Sequence, residues 1–284
     1  MNESDNKKIT TGKTVIGILL AIVIMVVAQV LASIVGGLPV MLGVPEAIGN
    51  VIAAILYAVF ALFGVKLLCT KILGISLEDC KVTKFSLKPI WCAAAVIMPC
   101  LVSGALLLTN GHWENNSLDT LAVGNIITGA IFFYGIGTGI VEETIFRGVI
   151  MNVLEKRWNR TVAIVAPSVL FSLMHIMGRD LDFFSIIQLL IAGSIVGILF
   201  SMVTYESGNI WNATLIHAVW NMIIIGGILN ICDTPSEFAI YNYVLDSDSF
   251  MITGGDFGIE ASIFAILAYA IFIAVAVILM KKKK

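Results

Sequence analysis

The chain has 284 residues, of which 59% are apolar and only 13% charged, with a mean hydropathy of +1.00. Soluble domains carry about a quarter charged residues, so this composition excludes a soluble globular protein and implies one that resides in a membrane. The formal net charge of −2 averages two faces of opposite sign, and the basic residues follow membrane orientation rather than a nucleic-acid footprint; membrane lipid is the expected partner and nucleic acid is not.

A hydrocarbon core of about 30 Å asks for runs of about twenty apolar residues. Eight occur, at 15–35, 48–68, 89–108, 121–145, 162–177, 183–203, 210–229 and 259–280. They predict an all-α, polytopic integral membrane protein of about eight transmembrane helices. Lys7, Lys8 and Lys13 precede the first run as in a signal peptide, but the run is too long and lacks a small-residue cleavage site, so it reads as a retained helix. With this tail in the cytoplasm, the inner segments also hold Lys66, Lys71, Lys81, Lys84, Lys88, Lys156, Arg157, Arg160 and the terminal KKKK at 281–284. The outer loops hold Glu46, Glu114, Asp119, Asp180, Asp182 and the six acids from Asp233 to Glu260, with Arg179 as their one basic residue. An even number of spans places both termini in the cytoplasm, as the positive-inside rule requires. The KKKK tail reads as an anchor to anionic lipid.

No internal repeat and no inverted pair of broken helices, the sequence pointers to a transporter, occur. The chain divides into a cytoplasmic tail (1–13), three spans with a basic cytoplasmic loop (14–120), a core (121–229), a long acidic outer loop expected to be mobile (230–258), and a last span with the KKKK tail (259–284). Five cysteines, an odd number without metal-ligand spacing, argue against a disulfide framework or a thiolate zinc site and read as small buried hydrophobes. Gly193 and Gly197 form a small-xxx-small pair suited to close helix packing. Gly135, Gly137 and Gly139 pack in the same way or, lying just before an acidic pair, make room for a substrate.

That acidic pair is the main anomaly. The stretch GIVEETIFRG at 139–148 sets Glu142, Glu143 and Arg147 in an apolar run, where each ionised group costs roughly 2.5 kcal/mol or more. Of the three histidines, His112 lies in an outer loop, whereas His175 and His217 fall in predicted spans. Glu143 and Arg147 are four apart with the acid first, the favourable order for an intrahelical pair. Glu142 is rotated by about 100° from its neighbour and is free to face another helix. His217 and Asn221 are also four apart and share a helix face.

Counting from the basic turn near Trp158, Glu142 and His175 each lie about 25 Å along their helices, and His217 and Asn221 lie about 16 and 22 Å from the next inner turn. The four groups therefore fall in one layer. Their absolute depth differs with the end counted from: His175 lies close to Arg179 and the outer surface, Glu142 far from the outer end of its run. A carboxylate and a histidine can activate water as general base. A second histidine and an asparagine amide can donate to a developing oxyanion. The same Glu142, His175 and His217 are alternatively a candidate ligand set for zinc.

EETIFR, FSLMH and HAVWN fit EExxxR, FxxxH and HxxxN, in order and on the fourth, fifth and seventh apolar runs. In these motifs the chain resembles the CPBP intramembrane protease family, also called Abi, which includes the type II CAAX prenyl endopeptidases. The resemblance covers about 121–229. It implies an endopeptidase whose active site contains Glu142, Glu143, Arg147, His175, His217 and Asn221, with Phe171 as a packing residue and a peptide or membrane-associated protein as substrate. The family has been described both as zinc-dependent and as metal-free, and the motifs fit either. Short loops and a compact chain point to a bacterial plasma membrane. Two other functions share these residues: a proton- or ion-coupled transporter, for which no second row of ionisable residues continues the path, and a non-catalytic immunity or scaffold protein, which would still bind after loss of Glu142.

Overall fold

Six helices of the computed structural model are long and apolar enough to cross a membrane: α1 (Thr11–Met41), α2 (Glu46–Leu73), α3 (Pro89–Leu107), α4 (Thr120–Arg157), α6 (Phe183–Ser207) and α8 (Ile263–Lys281). Two shorter apolar helices, α5 (Arg160–Met174) and α7 (Trp211–Ile225), coincide with the remaining two predicted runs. The structure describes residues 9–283; Lys7, Lys8 and Lys284 of the basic tails lie outside the described residues. Pro167 leaves α5 continuous.

Small residues set the helix spacing. The face of α1 that is buried is Gly17, Ala21, Met25, Ala28, Ala32 and Gly36, one residue per turn. A Cβ on Gly36 would come within 2.7 Å of Ala53 on α2, so the two backbones pack at a distance only glycine permits. Gly197 plays the same part between α6 and α5, where a Cβ would lie 2.7 Å from that of Ser168. Gly135 and Gly139 are likewise filled, by Met222 and Ala218 of α7. These glycines pack helices, and the space they free is taken by α7 rather than by a substrate.

The segments between helices gather at two ends. At one end, here the basic face, Lys88 and Lys283 both reach Glu206 Oε1 at 2.7 Å, and Trp91 Nε1 donates to Glu206 Oε2 at 2.7 Å. Trp211 Nε1 donates to the Thr83 carbonyl at 2.8 Å, and Lys156 meets Asp79 at 3.0 Å. At the other end a small sheet forms, a feature the all-α reading lacked. Its strands are β1 (Gly111–Asn115), β2 (Leu229–Cys232) and β3 (Tyr241–Leu245), in the order β1-β3-β2. β1 runs antiparallel to β3 with Trp113 opposite Tyr243, and β2 runs parallel to β3.

The sheet gives the acidic loop an ordered fold. Asn242 is fully buried, accepts from the Ser236 N–H at 3.0 Å and from Asn230 Nδ2 at 2.8 Å, and donates to the Ser236 carbonyl at 3.1 Å. Asn116 Nδ2 ties the next connection down by donating to the carbonyls of Ser236 and Ala239. Strands of four or five residues are too short to show a period of two against polar surroundings.

Candidate active site

The site begins with an irregularity in α4. Two π-helical stretches, Gly129–Gly137 and Thr144–Ile150, flank a short α segment, Thr138–Glu143. Thr138 Oγ1 donates to the carbonyl of Phe133, five residues back, at 3.1 Å. Such π segments shift side-chain direction relative to an unbroken α-helix and concentrate at functional sites. Here they bracket Glu142 and Glu143.

Glu143 and Arg147 form the buried foundation. Both side chains are essentially inaccessible, and Arg147 Nη1 donates to Glu143 Oε1 at 3.0 Å. Arg147 Nη2 donates to the Gly197 carbonyl at 3.1 Å, and the guanidinium lies 4.8 Å from the ring of Phe171 and 5.0 Å from that of Phe200. A charge-assisted hydrogen bond, a carbonyl and two aromatic faces replace water around this cation. Glu143 and Arg147 stand behind the cavity wall and partner each other, with Glu143 Oε2 and Arg147 Nε left without a hydrogen bond.

Glu143 also orients His217. Its Oε1 accepts from His217 Nδ1 at 2.9 Å, and the imidazole lies flat on Phe200, with ring centres 4.9 Å apart and planes 15° from parallel. These contacts aim His217 Nε2 at Glu142, whose Oε2 is 3.7 Å away. That distance is too long for a direct hydrogen bond. Glu142 Oε2 is buried without a hydrogen-bond partner.

His175 is the C-cap of α5, and its Nδ1 donates to the carbonyl of Phe171 one turn back at 2.8 Å. In its neutral form the other ring nitrogen is then an acceptor. Phe171 lies between the two imidazoles, 4.6 Å from the centre of His175 and 6.0 Å from that of His217. Asn221 spends one amide N–H on the carbonyl of Tyr134, at 2.8 Å.

Glu142, His175, His217 and Asn221 all line one cavity of about 310 Å³, as the layer argument from the sequence expects. The nearest imidazole to Glu142 is His217, across the α4–α7 contact, rather than the His175 that the hairpin count set level with it. Aromatic residues that the sequence did not mark, among them Tyr57, Phe133, Trp220 and Tyr269, complete the walls. In apolar runs an aromatic facing a cavity reads the same as one facing lipid, so no sequence signal could single these out. Arg179, Phe257 and Glu260 line the end nearest the sheet. Glu260 is held there by Trp220 Nε1, which donates to its Oε2 at 3.0 Å.

The zinc alternative needs three ligands around one point. Among the described residues no three His, Cys, Asp or Glu side chains are close enough to hold one ion. Glu142 and His217 are near neighbours, and the bond of His175 Nδ1 to the Phe171 carbonyl leaves its Nε2 as the nitrogen available to a ligand. The donor types suit zinc, and their spacing does not.

Residues 123–223 match the family described as type II CAAX prenyl endopeptidase Rce1-like, which bears out the resemblance carried by the three motifs. No curated protein matches the chain.

Proposed function

We propose, from the match of residues 123–223 to the Rce1-like protease family, that this integral membrane protein is an intramembrane endopeptidase that hydrolyses peptide bonds with a water activated by Glu142 and His175. The observation that carries the reading is the Glu142 carboxylate: half-buried, its Oε2 out of reach of water and without a hydrogen-bond partner, and set in a cavity with two histidines and an asparagine. A purely structural carboxylate at such a depth would be expected to be paired. Glu143 accepts from Arg147 and His217 through Oε1, although its Oε2 is unpartnered; Glu142 Oε2 has only the 3.7 Å approach of His217 Nε2.

The chemistry follows from the donor and acceptor directions. Glu142 Oε2 and the free nitrogen of His175 are acceptors for the protons of a water as its oxygen attacks the substrate carbonyl carbon. The carbonyl oxygen becomes an oxyanion. The second amide N–H of Asn221 and, in its doubly protonated form, His217 Nε2 donate to that oxygen. Glu143 holds His217 Nδ1 and thereby fixes the ring's direction. The proton taken by Glu142 passes to the amine nitrogen as the C–N bond breaks, which restores the carboxylate.

The membrane is most consistent with a bacterial plasma membrane, given the short connections between helices. Comparative peptidomics of cells carrying wild type or Glu142→Gln tests the reading. Peptides released only by wild type are expected. Identical peptide pools at equal protein levels would refute it.

A further inference from the structure

We infer that the cavity opens on the extracytoplasmic side, so that this endopeptidase takes apolar peptide segments presented from outside the cytoplasm, and not cytoplasmic tails. The substrate class rests on the endopeptidase reading above; the sidedness does not.

The first observation is where the cavity ends. It runs from Glu142, Phe200 and His217 at its deep end to Arg179, Phe257 and Glu260 in the loops of the sheet-bearing face. No residue of 74–88, 158–159, 208–210 or 282–283, the connections of the basic face, lines it. The second observation explains the hollow. Both α5 and α7 start at the basic face and run for 15 residues, Arg160–Met174 and Trp211–Ile225, about 22 Å at 1.5 Å per residue. The hydrocarbon core is about 30 Å thick, so both helices stop short at the sheet end, and the space beyond them belongs to the cavity and its rim.

The basic end, by contrast, is closed. Glu206 gathers Lys88, Trp91 and Lys283 there. Beneath the site, the Cys80 carbonyl lies against α4 so tightly that a Cβ on Gly148 would be 3.3 Å from it. Orientation then follows from charge. The closed end carries Lys81, Lys84, Lys88, Lys156, Arg157, Arg160 and Lys281–Lys283, whereas the loops of the open end carry Arg179 alone against Asp180, Asp182, Asp256 and Glu260. Cytoplasmic segments carry the excess of lysine and arginine, so the open end faces away from the cytoplasm. The walls between rim and deep end are aromatic, with Tyr57, Phe133, Trp220 and Tyr269, and suit an apolar peptide better than a charged one.

Thiol labelling in intact cells tests the sidedness. In a cysteine-free background, Arg179→Cys and Phe257→Cys at the rim and Glu78→Cys in the basic loop are treated with a membrane-impermeant maleimide. Arg179 and Glu78 are both exposed, so at least one reporter at each end replaces a residue with little packing to lose. Labelling of the rim in intact cells, and of Glu78→Cys only after permeabilisation, is the expected result; the reverse pattern overturns the inference. The peptides that differ between wild type and Glu142→Gln then test the substrate class. Cut sites in exported or outer-leaflet segments support it, and cut sites in cytoplasmic tails overturn it. A rim that labels from outside in cells whose peptides do not differ would refute the endopeptidase reading and leave the sidedness standing.

Discussion

Glu142 and Glu143 are adjacent in sequence and have opposite fates. Glu143 accepts from both Arg147 and His217, at 3.0 and 2.9 Å, while Glu142 Oε2 has no hydrogen-bond partner. Glu142→Gln keeps the shape and removes the base, so turnover is expected to fall by about 10²–10⁴-fold with folding intact, measured as peptide release per folded protein. Asn221→Ala removes one oxyanion donor and should cost on the order of 10²–10³-fold. Arg147 should behave differently, because it touches no reacting atom. Its two nitrogens serve acceptors in different directions, Glu143 and the Gly197 carbonyl, between two aromatic faces. Lysine has one nitrogen and no plane to offer. Arg147→Lys should therefore lower the yield and melting temperature of the protein nearly as far as Arg147→Ala, and breaking a buried pair by removing one partner costs roughly 3–5 kcal/mol. A lysine variant of wild-type stability would show that charge alone is what the site needs. Activity is expected to survive exhaustive chelation, since among the described residues no three ligand side chains are gathered around one point; loss on chelation with recovery on adding Zn²⁺ would reinstate the metal.

At the scale of elements, what the sequence revealed and what it concealed follow one rule. Ionisable residues in apolar runs are conspicuous, so Glu142, Glu143, Arg147, His175 and His217 stand out from the sequence, Asn221 follows from its place one turn beyond His217, and the glycine pair at 193 and 197 reads as packing. Features that arise between elements were hidden. The π segments of α4 leave no mark in composition, yet they decide which way the two glutamates point. The shortness of α5 and α7, which leaves the hollow, shows in the sequence only as a short fifth run. The sheet was invisible because its strands pair across the length of the chain, β1 at 111–115 with β3 at 241–245. The cysteines were read as buried hydrophobes, and this holds fully only for Cys69 and Cys80; Cys100 is exposed, and Cys92 and Cys232 are half-buried. Cys69 and Cys80 lie with their sulfurs 3.4 Å apart, and the hydrogen bond between them together with burial pushes the Cys80 thiol up, which makes it a poor nucleophile. Replacing all five by alanine or serine should leave peptide release within a few-fold of wild type, and a loss of about 100-fold with folding intact would reveal thiol chemistry at the site.

Across the whole molecule, the two ends of the bundle divide the work. The end bearing the sheet keeps a cavity open between short helices, and such a hollow in a membrane bundle forfeits packing that must be recovered elsewhere. The basic end is where side chains from distant parts of the chain converge. Glu206, whose side chain is only 3% exposed, joins Lys88 at the start of α3 and Lys283 beyond α8, and also accepts from Trp91. This carboxylate thus holds three helices together at the end away from the chemistry. Lys88 and Lys283 retain 32% and 54% of their exposure, so either ammonium can turn to water if the carboxylate is lost, and the cost should fall below the roughly 3–5 kcal/mol of a fully buried pair. Glu206→Gln, which keeps an acceptor for Trp91, is therefore expected to destabilise the protein by about 1–2 kcal/mol, measured by thermal unfolding in detergent. Raising the ionic strength should narrow the gap between variant and wild type, because the lysines are partly exposed and salt screens exposed pairs. Peptide release per folded protein should stay unchanged, since no contact of Glu206 reaches the cavity. If Glu206→Gln instead lowered turnover at unaltered stability, the two ends would be mechanically coupled, and movement at the basic face would have to be part of the catalytic cycle.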